Sequence, residues 1–439
     1  MTEKVKIGMV SLGCSKNTVD AELMLGKLKS AVLTANPAEA DVIIVNTCGF
    51  IEAAKQESIN AILEMAEYKK QGSLKGLVVT GCLSQRYQDE LARELPEVDV
   101  FLGVTAAEDI AGAVESALAG QHQETFRAPT VAGDYENRVL TTPPHYAYLK
   151  IAEGCSNRCS YCAIPDIRGP LQSRPIEDIL REARSLVLSG ARELIVIAQD
   201  TTKYGQDLYG QPCLPELLRR LAEESGARWI RVLYCYPESI TDELLDVMAG
   251  HDNIVKYIDI PVQHLDDGIL RRMNRRSRQA TVYDAVRRIR QADPRFIIRT
   301  TLIAGFPGET EEAFQTMLRG VRELRFDRLG AFAYSAEEGT PAAEFPGQLP
   351  QEVKEARAGA VMEAQQPIAR ASNEGRLGQT LDVVIEGFDG ERYFGRSYGE
   401  APDIDGLVYV ESEEELLLGE WYPVRITGAD EYDISGVAE

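Results

Sequence analysis

Short uninterrupted runs of valine and isoleucine, each followed by a segment with helical spacing, recur through the first 120 residues of the chain. Runs of this kind are typical of parallel strands that helices bury on both faces. Three of the runs lead to a cysteine: residues 5–10 to Cys14, residues 41–46 to Cys48 and residues 76–80 to Cys82. The pattern predicts an N-terminal parallel α/β sheet domain whose cysteines follow the C-terminal ends of its strands, the edge where open parallel sheets bind ligands.

The alternation of strands and helices resumes in the middle of the chain, after a polar and aperiodic segment at 121–142 that we interpret as a linker. Strand–helix units of this size predict a partial or full βα barrel of the TIM type over 143–370, with catalytic loops after the strand ends. The candidate strands are 147–152, 193–198, 229–234, 257–262, 296–304 and 328–334.

The last segment of the chain has a different pattern. Polar and apolar residues alternate at 380–385 and 421–426, and glycine and aspartate separate these runs. Such a pattern predicts a small C-terminal β-barrel. The predicted organisation is a domain at 1–120, the linker at 121–142, a second domain at 143–370 and a third at 371–439.

The 439 residues carry a formal net charge of −22 and include eight cysteines. No stretch approaches the roughly 18 apolar residues of a membrane span, and the N-terminus lacks the apolar core of a signal peptide. We therefore expect a cytoplasmic protein without a membrane partner. In a reducing cytosol cysteines more often bind metals or catalyse reactions than form disulfides. Cys213 and Cys235 lie in no suggestive context.

Cys155, Cys159 and Cys162 have the spacing C-x₃-C-x₂-C directly after a predicted strand. Four thiolates would close a [4Fe–4S] cluster. Three leave one iron open to bind a substrate or cofactor, just as a catalytic zinc site keeps an open position. The alternative is a zinc knuckle completed from elsewhere, but zinc sites usually open with C-x₂-C and no nearby Cys or His supplies the fourth ligand. The spacing favours a catalytic iron–sulfur cluster at the mouth of the barrel.

Cys14, Cys48 and Cys82 form a second candidate set, because the ends of neighbouring parallel strands converge. A single cysteine in such a position is usually only buried, and structural cysteines are the alternative here. Three thiolates at one sheet edge predict a second [4Fe–4S] cluster, again with an open iron.

The motif around Cys155 resembles that of the radical S-adenosylmethionine superfamily. Together with the stretches at 11–17, 46–48, 80–82 and 305–310, it makes nearly the whole chain similar to the methylthiotransferases, and the acidic tail looks like their TRAM domain. The resemblance implies two [4Fe–4S] clusters and S-adenosyl-L-methionine as cofactors, and an electron donor such as flavodoxin or ferredoxin. It also implies that one S-adenosylmethionine methylates sulfur held at the N-terminal cluster, while a second yields a radical that takes hydrogen from an unactivated carbon.

Four further residues are candidates for contact with S-adenosylmethionine. Tyr161 matches the aromatic residue that often lies beside the adenine in this superfamily, with a tyrosine of the core as the alternative. Gln199, Asp200 and Gln263 lie at predicted strand ends. His264 could transfer a proton, although a lone histidine is more often structural.

Methylthiotransferases modify either tRNA adenosine or an aspartate of small-subunit ribosomal protein twelve, and Ser15 stands where the tRNA branch typically has glutamine. The dense arginine run at 271–278 could touch a phosphate, but arginines at helical spacing more often form a solvated face. Several stretches resemble the ribosomal, RimO-type branch: 11–20, 163–169, 198–202, 257–264 and 333–341.

The charge of the tail points to the same branch. From Ala371 onward there are 17 Asp and Glu against 4 Lys and Arg, and four of the acids are Glu411, Glu413, Glu414 and Glu415. A tail that grips tRNA needs cations for the phosphates, whereas an acidic surface suits a basic ribosomal protein. Mere solubility is the alternative reading of these acids. The sequence predicts an enzyme that adds a methylthio group to the β-carbon of an aspartate in that ribosomal protein, either free or on the ribosome. The alternatives are tRNA modification and a non-catalytic iron–sulfur protein.

Overall fold

The valine and isoleucine runs near the N-terminus form the centre of a six-stranded parallel sheet, the N-terminal sheet. The structure, a computed structural model, describes residues 4–439. Residues 1–3 lie outside the described residues. They belong to the predicted first domain and to the N-terminus that lacks the apolar core of a signal peptide. In sheet order the strands are Val32–Leu33, Lys6–Ser11, Val42–Thr47, Gly76–Gly81, Val100–Leu102 and Gln123–Thr125.

Helices cover both faces of the N-terminal sheet, so its central strands Val42–Thr47 and Gly76–Gly81 are fully buried. The helices of this region are Ser15–Lys27, Glu52–Lys70, Cys82–Glu94 and Ile110–Leu118. Short 3₁₀ helices lie at Pro37–Glu39, Ala106–Glu108 and Tyr135–Asn137.

All six strands predicted for the middle of the chain are present, and they form one parallel sheet that does not close, so the barrel is partial. From one edge to the other the strands are Tyr146–Lys150, Glu193–Ile197, Trp229–Val232, Ile254–Gln263, Ile297–Ala304 and Arg328–Ala333. The helices are Ile164–Arg168, Ile176–Leu188, Gln206–Tyr209, Leu214–Glu224, Asp242–Gly250, Asp267–Arg272, Gln279–Ala292, Glu311–Leu324 and Gln351–Glu374. Short 3₁₀ helices lie at Thr201–Lys203, Pro237–Ser239 and Pro341–Glu344.

The C-terminal segment forms a closed five-stranded barrel, as the alternating pattern predicts. Around the barrel the strands are Thr380–Phe388, Tyr393–Arg396, Val408–Glu411, Ile434–Ala438 and Trp421–Ala429.

The partial barrel lies between the other two units. The C-terminal barrel packs against the N-terminal ends of the central strands, where the rings of Trp229 and Trp421 meet edge to face at 5.4 Å. At the opposite end, Val19 and Leu23 of the first helix pack into the interior of the partial barrel. The C-terminal ends of the two parallel sheets therefore face each other. In the described part of the chain, no helix combines the length and the apolar character needed to cross a membrane.

Two elements differ from the sequence-based prediction. The strand Gln123–Thr125 lies inside the segment interpreted as a linker, yet it pairs in parallel with Val100–Leu102 as the edge of the N-terminal sheet. The helix Gln351–Glu374 runs past the boundary predicted at residue 370.

Candidate active site

Cys14, Cys48 and Cys82 lie together at the C-terminal edge of the N-terminal sheet. Cys48 directly follows the strand Val42–Thr47, and Cys82 directly follows the strand Gly76–Gly81. These two strands pair with each other. Cys14 precedes the first helix. Between that strand and that helix, Gly13 has φ of +91°, and a Cβ at this position would lie 2.8 Å from the Cβ of Cys48. The backbone can approach the neighbouring cysteine this closely only because residue 13 is glycine.

The three thiols of this first set influence one another electrostatically. Burial raises the pKa of the Cys82 thiol to about 12, with further contributions from negative charge on Cys14 and Cys48, while the Arg168 guanidinium opposes the rise. Burial also raises the pKa of Cys48, and charge on Cys14 adds to it. Thiols that act on one another in this way lie close together.

The second set of cysteines lies on a loop at the mouth of the partial barrel. The antiparallel pair Ala152–Glu153 and Gln172–Ser173 closes the base of this loop, and the Cys155 amide donates to the carbonyl of Gly169 at 3.0 Å. Burial raises the pKa of Cys162, and negative charge on Cys159 and Cys155 raises it further. Burial likewise raises the pKa of Cys155, and the charge of Cys159 contributes.

Both sets have the chemistry of an iron–sulfur site. Within residues 4–439, no three histidine, cysteine, aspartate or glutamate side chains converge closely enough to hold a single metal ion. The thiolates of a [4Fe–4S] cluster each bind a different iron and need not converge on one point. Three mutually interacting thiols at each sheet end are the donor set that such a cluster takes.

The two cysteine sets are joined by a buried group of charges that the sequence-based reasoning missed. Arg168 donates to the sulfur of Cys82 at 3.3 Å and to Glu153, two residues before Cys155, at 2.9 Å. Lys150 donates to the other side of the same group, to Glu153 at 2.9 Å and to Asp20. The only signal for Arg168 was its place in the 163–169 stretch, which carried a resemblance but no role.

Gln199 lies in this group of charges and is the best placed of the predicted contacts with S-adenosylmethionine. Its Nε2 donates to Glu153 at 2.7 Å, while its Oε1 is buried and accepts no hydrogen bond from the described residues. A buried acceptor without a donor is free to bind a ligand donor such as an amine or a hydroxyl. The residues present therefore fit S-adenosylmethionine.

The other predicted contacts are occupied within the protein to different degrees. Both carboxylate oxygens of Asp200 accept hydrogen bonds, from Asn157 at 2.7 Å and from Thr202 at 2.5 Å. Gln263 ends its strand with a left-handed φ of 72° and is buried. The Tyr161 ring packs edge to face on Phe306, with centroids 6.5 Å apart. Contact of these three side chains with the cofactor stays a prediction.

The structure decides between the alternatives that the sequence left open for His264 and for the arginine run at 271–278. His264 is fully buried, its Nε2 lies 3.0 Å from Glu309 and its Nδ1 accepts a hydrogen bond from the Asp266 amide. Both ring nitrogens are thus occupied within the protein, which fits a structural role and not proton transfer. The interpretation of the arginine run as a solvated face is wrong for Arg275. This side chain is buried, donates to the sulfur of Cys159 at 3.9 Å and stacks on the ring of Tyr236 at 4.2 Å. The cause is that the run spans the gap between two helices and does not lie along one.

Three families match consecutive parts of the chain. Residues 6–103 match the uncharacterized protein family UPF0004, residues 149–321 match the radical SAM superfamily and residues 377–438 match the TRAM domain.

Several relatives match over nearly the full length of both chains. The ribosomal protein uS12 methylthiotransferase RimO of Lachnoclostridium phytofermentans is 49% identical over 99% of this chain and 100% of its own length. The proteins of the same name from Clostridium tetani and Desulforamulus reducens are 48% and 49% identical, over 99% and 98% of this chain and 98% of their own lengths.

Solved structures share the fold at low sequence identity. The radical S-adenosylmethionine methyltransferase TsrM of Kitasatospora setae, with cobalamin and a [4Fe–4S] cluster bound, matches with a TM-score of 0.56 at 13% identity over 77% of each chain. The cobalamin-dependent S-adenosylmethionine radical enzyme OxsB matches with a TM-score of 0.51 at 12% identity, over 83% of this chain and 56% of that one.

Proposed function

The chain belongs to the RimO family of ribosomal protein uS12 methylthiotransferases, and from this we propose that it adds a methylthio group to the β-carbon of an aspartate in uS12. The observation that carries the proposal is that two sets of three cysteines lie at facing strand ends of two parallel sheets, with Arg168 in contact with both sides. We further propose that the chain works as three domains, near 1–120, 143–370 and 371–439 as the sequence predicts. The strand Gln123–Thr125 of the linker extends the first sheet, and the helix Gln351–Glu374 crosses the last boundary.

Cys155, Cys159 and Cys162 would hold one [4Fe–4S] cluster, and Cys14, Cys48 and Cys82 a second. When bound, these groups and S-adenosylmethionine supply one-electron chemistry able to break an unactivated C–H bond, and a site for the sulfur to be inserted. The protein's own part is to position these groups and the substrate. Gln199 offers its unpaired Oε1 to a ligand in the barrel mouth.

The first helix, Ser15–Lys27, also covers part of the mouth of the partial barrel. Val19 and Leu23 pack with residues of the barrel interior, and Lys16 lies 3.2 Å from the ring centroid of Tyr234. Exclusion of water protects reactive species from side reactions.

A flavodoxin or ferredoxin is the electron donor that we propose, and an arginine-lined cavity of about 410 Å³ is its docking position. The cavity includes Arg158, which stands between two cysteines of the loop, together with Arg271 and Arg272. Arg158, Arg271 and the adjacent Arg276 are exposed, and none of them has a carboxylate partner within residues 4–439. A cationic patch on a chain of net charge −22 suits an acidic carrier.

Mass spectrometry of uS12 tests the function. We expect uS12 from cells that lack this protein to lose the mass of one methylthio group on a single aspartate, and the gene in trans to restore it. Purified protein with S-adenosylmethionine, a sulfide source and a reductant should modify free uS12 or small ribosomal subunits, and the comparison shows which form is the substrate. Modification of tRNA with uS12 unchanged would contradict the assignment.

A further inference from the structure

Arg168 is one of the most deeply buried charged residues of the molecule, with 1% of its surface exposed. It ends the short helix Ile164–Arg168, which begins two residues after Cys162. Its side chain leaves the partial barrel and enters the C-terminal edge of the N-terminal sheet. The residue therefore belongs to the barrel by sequence and to the N-terminal cysteines by contact.

All three nitrogens of the Arg168 guanidinium are engaged. Nε donates to the Cys82 sulfur at 3.3 Å, and Nη1 donates to Glu153 at 2.9 Å. Nη2 donates to Asn17 at 2.5 Å and to Asp20 at 2.9 Å. The planar guanidinium presents its N–H donors in fixed and different directions, so one side chain reaches a sulfur and two carboxylates at once, whereas a lysine offers a single point charge.

The charges of this buried group balance before the sulfur is counted. Arg168 and Lys150 face the two carboxylates of Asp20 and Glu153. A buried ionic group costs desolvation energy, so its presence is weak evidence for stability and calls for another role. The contact that an ion pair alone does not explain is the one from Nε to Cys82.

We propose that Arg168 is a positioning residue for the N-terminal cluster: it fixes Cys82 as a ligand and, through its hydrogen bond and charge at that sulfur, raises the reduction potential of the cluster. This inference rests on the proposed function, which places a cluster on Cys14, Cys48 and Cys82. Hydrogen bonds to the sulfurs and nearby charge are among the factors that set the potential of an iron–sulfur site. A donor at the sulfur stabilises the reduced, more negative state, so its removal shifts the potential downward.

The same guanidinium also ties the N-terminal site to the other cysteines. Glu153 accepts from Arg168 and from Gln199 and lies two residues before Cys155. Arg168 therefore links the Cys82 sulfur to the carboxylate that precedes the other cysteine set.

The test uses the full-length chain with Cys155, Cys159 and Cys162 replaced by alanine, so that only the N-terminal cluster can form. Iron and sulfide content and the midpoint potential, followed by electron paramagnetic resonance, are measured for this parent, for Arg168→Gln and for Arg168→Lys. Arg174→Gln is the matched control, because Arg174 is equally buried and binds Glu182 but contacts no cysteine.

We expect Arg168→Gln to shift the midpoint potential to a more negative value, Arg168→Lys to shift it less in the same direction, and Arg174→Gln to leave it at the parent value. An unchanged potential in Arg168→Gln with iron retained overturns the inference. If Arg168→Gln does not retain iron, Arg168→Lys decides in the same way. A parent without iron contradicts the second cluster itself, which is a failure of the proposed function and not of the role of Arg168.

Discussion

Two buried arginines lie against cysteine sulfurs, one in each half of the candidate active site. Arg168 Nε is 3.3 Å from Cys82, and Arg275 Nη1 is 3.9 Å from Cys159. A guanidinium keeps its charge at all physiological pH values, unlike a histidine or a buried lysine. Each arginine therefore places a permanent positive charge beside one candidate iron ligand, whatever the protonation state of the surrounding groups.

The two sets of cysteines can be separated by mutation. We expect the variant with Cys155, Cys159 and Cys162 all replaced by alanine to lose reductive cleavage of S-adenosylmethionine completely and to keep the N-terminal cluster. The variant with Cys14, Cys48 and Cys82 replaced should cleave S-adenosylmethionine but insert no sulfur, because the two sets lie on different sheets. Deoxyadenosine formation, uS12 modification and iron content report on each variant. Wild-type cleavage in the first variant, or modified uS12 from the second, would refute the corresponding assignment.

At the residue scale, the sequence predicts the neighbours that backbone geometry imposes. Cys14, Cys48 and Cys82 come together because they follow three strands of one parallel sheet. Arg168 could not be predicted as a partner of Cys82, because 86 residues separate them and the contact depends on how two sheets dock. No periodicity or spacing carries that information.

Buried ion pairs between a few elements attach the C-terminal barrel to the partial barrel. Glu193, at the start of its strand, binds Arg231 and Arg396 at 2.7 and 2.8 Å. Glu400 binds Arg376 and lies 3.1 Å from Arg328 at the start of the last central strand. Removing one member of such a group leaves the others buried without a counter-charge.

Replacement of Glu400 by glutamine should destabilise the protein by about 3–5 kcal/mol near neutral pH, because two arginines lose their carboxylate. The pKa of Glu400 is lowered from its ordinary value of 4.5 to about 2; although burial raises it, Arg376 and Arg328 lower it by more. The stabilisation from its charge is therefore complete above about pH 4.5 and is lost as the pH falls toward 2. Unfolding midpoints measured across this range should converge for wild type and Glu400→Gln. Glu439→Gln, at an exposed pair with Arg425, is the control, and an equal loss in both variants would contradict the argument.

At the scale of elements, length decides what the sequence can predict. The six central strands have four or more residues each and are largely apolar, and all six were predicted with ends displaced by a few residues. Val32–Leu33, Val100–Leu102 and Gln123–Thr125 have two or three residues each, too few to show a period. They exist because the edge of an adjacent strand offers unpaired hydrogen-bonding groups.

The two ends of the partial barrel carry different parts of the molecule. The cysteines lie at one end and the acidic C-terminal barrel lies at the other. A central strand of five residues spans about 17 Å, so the tail does not touch the chemistry. Part of its negative charge is also used internally: Asp382 pairs with Arg228 and Glu420 with Arg192, both on the partial barrel. The net charge of the tail therefore overstates what it presents to a partner.

The exposed arginines by the cysteine loop should govern reduction by a protein donor. Changing Arg158, Arg271 and Arg276 to glutamine should slow cleavage of S-adenosylmethionine driven by reduced flavodoxin, more at low salt than at high salt. Cleavage driven by dithionite should be unchanged. Glutamine at Arg93, Arg319 and Arg322, exposed elsewhere on the surface, changes net charge equally and is the control. Equal rates with flavodoxin for both variants would place the donor at another surface.

The end of the strand Val408–Glu411 and the loop that follows it, together called the acidic loop, carry the most concentrated exposed negative charge of the tail, in Glu411, Glu413, Glu414 and Glu415. The acidic loop lies by the N-terminal ends of the central strands, since Gly419 is close to His145 and Glu420 pairs with Arg192. Recognition of a basic protein at this position would change the rate of association and not the rate of the chemical steps. Charge complementarity of exposed groups mainly raises the association rate and is screened within roughly 8 Å at physiological salt.

Glutamine at these four positions should therefore slow association with uS12 and flatten its salt dependence, while cleavage of S-adenosylmethionine without substrate stays at the wild-type rate. The matched control replaces Glu64, Asp89, Glu90 and Glu94, exposed acids of the N-terminal region, and changes net charge by the same amount. A loop-specific effect must exceed that of the control. Association rates for uS12 and for tRNA, each at two salt concentrations, give the decision, because loss of negative charge helps a protein to bind a polyanion. If the loop variant binds uS12 as fast as wild type, the loop does not recognise the substrate and its acids serve solubility.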